Sequence, residues 1–468
     1  MSDLWNDRTA ALATSGTANR SWQSSRVVID SRSVRPGDLF VAIKGERFDG
    51  HQFASDALAK GAVAAVVSRP LEAGASTLLV PDTLKALEDL GRAARARFNG
   101  RVVGITGSVG KTSTKDMVRL ALAAYGETYA TSGNYNNHIG TPLNLANLPS
   151  DIPFAVFEMG MNHAGEIAHL TRMVRPHVAV ITTVEAVHLE FFESVDGICD
   201  AKAEIFEGVG EGGTAILNAD NRYLNRLKMA AARQGISQVL TFGDSHEADL
   251  RLIAYQPTVR GCDIDISASG DLLHTQLAAI GRHWARTALA TMAVVKALGL
   301  DPAAAAKALP DFSEPAGRGR LSVIKARGGE ATLIDDSYNA SPASMRAAFA
   351  KTSELCEALG TRGRKVAVLG DMLELGSQEI AFHQQLAEDL EKHGFSQVHT
   401  SGARMKYLHD ALPAAMRGEH VADPLQLEGL LAARLEAGDI VLIKGSHGSG
   451  MYRLAACFIT HGDRSHAV

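Results

Sequence analysis

Gly107-Ser108-Val109-Gly110-Lys111-Thr112-Ser113 carries the residue types that hold phosphate. Backbone N–H groups of a glycine-rich loop, and of a helix opening behind it, offer unpaired donors to phosphate oxygens. Lys111 supplies a point charge for the outer phosphates, and the Thr112 hydroxyl is placed to reach Mg2+. Val102-Val103 before the loop and a helix-like Lys115–Ala124 after it give the strand, loop, helix setting such a loop needs. A strict phosphate loop has glycine where this chain has Ile105; the T-G-S-x-G-K-T form belongs to a subset of these loops. Binding of a nucleoside triphosphate is the expectation.

Other polar groups fall just past apolar runs. Glu158 ends Phe154-Ala155-Val156-Phe157. Ligands of a parallel α/β sheet sit beyond the carboxyl ends of its strands. A carboxylate there suits the nucleotide's Mg2+, a hard ion that takes oxygen ligands. His188 follows the apolar Val178–Thr182 in the same way. Lys202 opens a helix-like stretch and reads by itself as a surface lysine. Asp335-Asp336-Ser337-Tyr338-Asn339-Ala340 ends the first expected strand of a later segment. Such groups are costly to bury unpaired, so they are expected to be solvated or to face a polar ligand. Lys444-Gly445-Ser446-His447-Gly448-Ser449-Gly450 follows the apolar Ile440–Ile443. Its glycines permit close backbone approach and Lys444 suits an anion; a flexible loop is the alternative.

The elements that must position these groups divide the chain of 468 residues into about three domains. Residues 1–100 hold short strand-like runs at Val27–Ile29, Leu39–Ile43, Ala62–Val67 and Leu78–Val80, with a helix-like Phe53–Lys60. Residues 101–314 show longer βα units, with near-continuous apolar strands at Val102–Ile105, Phe154–Phe157, Val178–Thr182 and Thr214–Leu217. Alternation over Cys262–Ile266 predicts a short antiparallel section, and a helix over Ala285–Ala297 closes this domain. Asp311–Gly317 is a breaker-rich linker. Residues 315–468 form a third α/β domain, with strands at Thr332–Ile334, Val366–Leu369, Gln397–Thr400 and Ile440–Ile443.

Composition narrows the classes. A hydrophobic share of 46% with 21% charged residues fits a globular protein with several cores. A net charge of −5 gives no basic field for nucleic acid, and Arg92–Arg97 reads as a solvated helix face. Four cysteines without C-x-x-C spacing argue for a reducing compartment and against a zinc site or disulfide frame. The N-terminus lacks a basic region followed by an apolar core, and no apolar run approaches the roughly 20 residues a membrane span needs. A cytoplasmic protein without a membrane span is expected.

The motifs together resemble the Mur ligases, the ATP-dependent amide-forming enzymes of peptidoglycan precursor synthesis. The resemblance runs from Asp30-Ser31-Arg32 to Lys444-Gly445-Ser446. Asp30-Ser31-Arg32, Gly37–Ile43 and Asp49-Gly50-His51 are similar to the UDP-binding domain of the later members. Asn134–Pro142 matches the family's substrate loop, and Val368–Gly376 also fits. Asp336-Ser337-Tyr338-Asn339-Ala340 resembles the member that adds D-alanyl-D-alanine, and differs from the one that adds diaminopimelate or lysine.

The resemblance implies a three-domain α/β fold: a small N-terminal UDP-binding domain, a central P-loop-type ATPase domain with a mostly parallel sheet, and a Rossmann-like C-terminal domain. It implies that Gly107, Ser108, Val109, Gly110, Lys111, Thr112 and Ser113 hold ATP. Thr112 and Glu158 would bind one Mg2+; His188 and a carbamylated Lys202 would help bind a second. Arg318 or Arg320, with Asp336, would reach the nucleotide. Ser31, Arg32, Glu46, Arg47 and Phe48 would lie near the uridine diphosphate. Asn136, Asn137, Thr141, Tyr338, Asn339 and Lys444 would meet the substrates. The family's adenine-contacting H-N-x-x-N-A stretch reads His283-Trp284-Ala285-Arg286-Thr287-Ala288 here, and its K-G-S-R motif reads Lys444-Gly445-Ser446-His447.

The implied reaction joins D-alanyl-D-alanine to UDP-N-acetylmuramoyl-tripeptide through an acyl phosphate, in a monomer that closes about a hinge at Glu314–Gly317. Two alternatives stand beside it: a sister ligase adding a single amino acid, and a nucleotide-binding regulator without catalysis.

Overall fold

The computed structural model describes residues 4–45, 48–72, 74–268 and 270–463. Among these, the strands form four sheets. A two-stranded ribbon pairs Trp5–Asn6 with Gln23–Ser24. The N-terminal five-stranded sheet runs Thr17–Ala18, Thr77–Leu79, Ala64–Val67, Asp38–Val41, Arg26–Val28 and is parallel except at its first pair.

The central sheet has nine strands. Arg101–Thr106 sits inside it, between Val178–Ile181 and Phe154–Glu158, and Thr128–Ala130 forms the edge. Apart from the exposed Arg101, the three inner strands are buried along their length, because helices cover both faces of a parallel sheet and leave no polar side. The chain leaves Arg101–Thr106, skips the next position and returns at the edge, so the sheet changes direction beside this strand. The crevice at such a switch point, past the strand ends, is where ligands bind. Beyond Gln238–Gly243 the sheet continues as an antiparallel meander, Leu250–Thr258, Gly261–Ala268 and Asp271–Leu277. Gln238–Gly243 and Thr128–Ala130 escape a sequence reading, since both are short and carry polar residues.

The C-terminal sheet has the order Arg320–Ala326, Gly329–Asp336, Ile440–Lys444, Lys365–Gly370, Gln397–Ser401, Arg417–Val421. Its first pair is an antiparallel hairpin and the rest is parallel. The strand that ends at Asp336 is therefore the second of this sheet, and Arg320 opens the first.

Two expectations change. Arg92–Arg97 is not all solvated: Arg95 is 7% exposed, and its guanidinium donates to the carbonyls of Val174, Arg175 and Phe98. It lies on the buried face of the helix Thr83–Arg97 with Leu87, Leu90 and Gly91. The linker is not free either. Glu314 is buried against Lys351, and the Asp335 carboxylate accepts from the Gly317 N–H and from Ser337, so it faces the linker backbone and not a ligand. No helix among the described residues is long and apolar enough to cross a membrane.

Candidate active site

The phosphate loop bridges the strand Arg101–Thr106 and the helix Lys111–Leu122, which starts four residues earlier than expected. Ile105, at the missing glycine's place, is a fully buried strand residue. Gly107 is required by its surroundings. It has φ 150°, and a Cβ on it would lie 1.9 Å from the Thr182 Oγ1. Gly110, at φ 86°, ends the loop where the helix begins. The Lys111 ammonium donates to the Gly107 carbonyl at 2.8 Å, across the loop. Burial pulls the Lys111 amine below the ordinary lysine range; Glu158 opposes this and Arg318 adds to it.

A cavity of about 590 Å3 opens over this loop. Its walls come from the central and C-terminal domains. Ser108 through Ser113, Asn136, Glu158 and His188 line one side; Arg318, Asp336, Tyr338, Asn339 and Lys444 line the other.

Glu158 ends its strand at 2% exposure. Its Oε1 accepts from the Asn136 amide at 2.8 Å, and its Oε2 is buried with no hydrogen-bond partner. An unpartnered buried carboxylate oxygen is costly, and a cation would satisfy it. Among the described residues no three His, Cys, Asp or Glu side chains form a metal cage. The donors at hand, one carboxylate and the Thr112 hydroxyl, suit Mg2+, which binds through one or two carboxylates and takes its other ligands from phosphates and water.

Lys202 is not a surface lysine. It is 2% exposed on the helix Val195–Ala203, outside the cavity wall, and no hydrogen bond of its ammonium is seen among the described residues. Burial first, and the Lys111 charge second, hold its amine well below the ordinary lysine range.

From the opposite side, the Arg318 guanidinium donates to the Thr112 hydroxyl at 3.2 Å and lies 4.5 Å over the Tyr338 ring. Arg320 is exposed at the start of its strand and does not line the cavity. The Lys444 ammonium is buried and donates to Asp336 Oδ2 at 2.7 Å and to the Asn339 carbonyl at 2.9 Å. In the loop after it Gly445 and Ser446 are buried and His447 is exposed, its ring stacked on Tyr452 at 4.8 Å.

The remaining expected residues lie elsewhere. Asn137 is exposed, and its side-chain oxygen accepts from the Ile139 and Gly140 N–H groups ahead of the helix Gly140–Ala146. Thr141 is fully buried. Ser31 and Arg32 follow the N-terminal strand Arg26–Val28, with Arg32 exposed and paired to Asp30. Phe48 is 71% exposed. Glu46 and Arg47 lie outside the described residues. In the adenine-like segment, Trp284 is buried against Phe312, and the Thr287 hydroxyl donates to the His283 carbonyl. His283 lines the cavity, and burial, then Lys351 and Lys444, push its ring down to about 3, so it is neutral at pH 7. Lys351 and Glu374 also line the cavity. Lys351 sits mid-helix in no motif; Glu374 sits in a motif that gives it no role.

Family models cover most of the chain. The Mur ligase middle domain matches residues 105–295, the Mur ligase glutamate ligase domain 319–447, and the Mur ligase family catalytic domain 24–95. The UDP-N-acetylmuramoyl-tripeptide–D-alanyl-D-alanine ligase of Escherichia coli is 37% identical over 93% of this chain and 94% of its own. The chain belongs to the Mur ligase family. The ligase of the same name from Rickettsia prowazekii is 33% identical over 95% of this Mur ligase and 97% of its own length. Among solved structures, MurF from Acinetobacter baumannii superposes with a TM-score of 0.85, at 30% identity, over 97% of this chain and 99% of that one. MurF ligase from Thermotoga maritima, solved in complex with ADP, gives 0.78 at 30% identity over 94% and 98%. The three-domain Mur ligase fold is thereby that of this chain.

Proposed function

We propose that this Mur ligase joins D-alanyl-D-alanine to UDP-N-acetylmuramoyl-tripeptide at the expense of ATP. The observation that carries the reading is the cavity where the phosphate loop and Glu158 face Arg318, Asp336 and Tyr338. Relatives named for this reaction, matched over more than nine-tenths of the chain, support it. Residues 1–100 hold the UDP-sugar, 101–314 the ATP, and 315–468 the incoming dipeptide. The enzyme is proposed to act as a monomer in the cytoplasm, where nucleotide substrates are supplied.

A carboxylate is a poor acyl donor, since its charge repels nucleophiles and oxide leaves badly. The tripeptide carboxylate attacks the γ-phosphate, and ADP departs. The dipeptide amine then attacks the acyl phosphate carbonyl, phosphate leaves with the C–O electron pair, and the nitrogen gives up one proton, which the departing phosphate can take. Lys111 and the loop N–H groups hold the phosphates, and Arg318, reaching Thr112 from the other domain, adds positive charge where it accumulates. Thr112 and Glu158 would hold one Mg2+, and His188 with Lys202 a second; bound there, such ions would neutralise charge on the phosphates. Lys202 joins as a carbamate, formed when its neutral amine adds CO2 and releases a proton. A buried amine with a depressed proton affinity is suited to that addition. The seating of Arg318 and Tyr338 over the loop excludes water that would hydrolyse the acyl phosphate.

Phosphate release from ATP with UDP-N-acetylmuramoyl-tripeptide, with and without D-alanyl-D-alanine, tests the reading, with the product weighed by mass spectrometry. Release that needs the dipeptide, and a product heavier by one dipeptide residue, is expected. Release with single amino acids alone would make the chain a sister ligase.

A further inference from the structure

The segment Gly370-Asp371-Met372-Leu373-Glu374-Leu375-Gly376 leaves the C-terminal strand Lys365–Gly370 and meets a loop of the central domain. The His188 Nδ1 lies 2.5 Å from the Glu374 Oε2. Two more contacts join these loops. The Glu190 N–H donates to the Glu374 carbonyl at 3.3 Å. Gly376, at φ 61°, admits the Leu189 carbonyl oxygen, which would stand 2.8 Å from a Cβ there.

The backbone supplies an independent observation. Among the described residues the non-glycine positions with positive φ are Ser15, Arg175, His188 and Glu374. Ser15 and Arg175 each end a helix, where a left-handed residue lets its N–H satisfy a late carbonyl. His188, at φ 55°, and Glu374, at φ 62°, cap no helix. Such a conformation persists where the surroundings over-determine it. Here each of the two faces the other across the seam between domains. With Nδ1–H given to the carboxylate, the lone pair is on Nε2, and the ring lines the phosphate-loop cavity.

We propose that Glu374 is the positioning residue for His188: by accepting from Nδ1–H across the domain seam, it fixes the ring's tautomer and turns Nε2 to the nucleotide site. A carboxylate holding the far nitrogen of an imidazole is the general means of orienting a metal-binding histidine. Because carboxylate and ring belong to different domains, docking of the C-terminal domain and readiness of the central site become one event. The inference rests on the ligase reading above for its turnover arm only.

Full-length wild type, Glu374→Ala, Glu374→Gln, His188→Ala and the double alanine variant are compared in two assays. One is Mn2+ binding with a non-hydrolysable ATP analogue, followed by electron paramagnetic resonance; the other is turnover. Glu374→Ala is expected to weaken Mn2+ binding and to lower kcat, each about tenfold, with KM for the UDP-tripeptide unchanged. Glu374→Gln, whose amide oxygen still accepts from Nδ1–H, should keep most of both. The double variant should match His188→Ala, since both changes remove one unit. Losses that multiply in the double variant, or a Glu374→Ala enzyme equal to wild type in both assays, overturn the proposal. If Glu374→Ala does not fold, a Glu374→Gln enzyme as weak as His188→Ala overturns it and one near wild type supports it. A wild type that binds Mn2+ and nucleotide without turnover defeats the ligase reading, and the binding assay still decides the pair.

Discussion

The Lys351 ammonium donates to the Glu314 carboxylate at 2.5 Å, with both side chains buried where the chain passes from the central to the C-terminal domain. Lys351 also donates to the Gly319 carbonyl, so one cation ties the middle of the linker and the residue just beyond it to the helix Pro342–Leu359. Removing one partner of such a pair strands a buried charge, at a cost of about 3–5 kcal/mol. Lys351→Met is expected to lose that much in urea unfolding at pH 8. A loss below about 1 kcal/mol would mean that the linker is not pinned by this pair.

The same pair gives a pH dependence. Burial pushes the Glu314 carboxyl up to about 7, against the opposing pull of Lys351 and with a contribution from Asp336. Between its ordinary value of 4.5 and about 7 the folded chain therefore holds the proton that the unfolded chain has released. Stability from this group is full below that window and is lost as pH rises through it. Melting temperature should fall across the window in wild type and change less in Glu314→Gln. Equal slopes in the two proteins would remove Glu314 as the source.

Arg318 and Arg320 are two residues apart and face different surroundings. Arg318→Ala removes a cation that reaches Thr112, and kcat/KM for ATP should fall about 10–100-fold, the worth of a charge-assisted hydrogen bond. Arg320→Ala touches an exposed side chain and should leave it unchanged. Steady-state kinetics on the two variants separate them, and the reverse ranking would contradict the geometry.

Lys202→Ala should abolish most turnover, by about 100-fold or more if an anionic ligand is lost. Short carboxylic acids should restore part of it by supplying the missing oxygen. Loss of activity without chemical rescue would argue against the carbamate.

The phosphate loop, Glu158 and the Asp336–Ala340 segment are legible in the sequence because each is a local pattern at the end of an apolar strand. Arg95 was legible in principle: a 3.6-residue period through Leu87 and Gly91 carries it to the buried face. Lys351 was not, since its partner lies 37 residues away in a linker and nothing local marks either. Glu374 meets His188 at a separation of 186 residues, a pairing that only the docked domains create. The burial of Lys202 is similar: expected to open a helix, it lies in the last turn of Val195–Ala203, and it looks solvated until the neighbouring helices are in place.

Asn147, just past the helix Gly140–Ala146, exchanges two hydrogen bonds with the Val27 backbone of the N-terminal sheet, and the Trp5 indole donates to the Ala146 carbonyl. Arg95 fastens the same two domains at a second place. With the N-terminal domain thus fixed to the central one, the span from the Ser31–Arg32 corner to the phosphate loop is a constant of the frame. A sugar nucleotide held at that corner, as proposed, would then present its peptide terminus to the phosphate loop only at one number of residues. The enzyme would act as a ruler, measuring the length of its donor before reading any side chain along it.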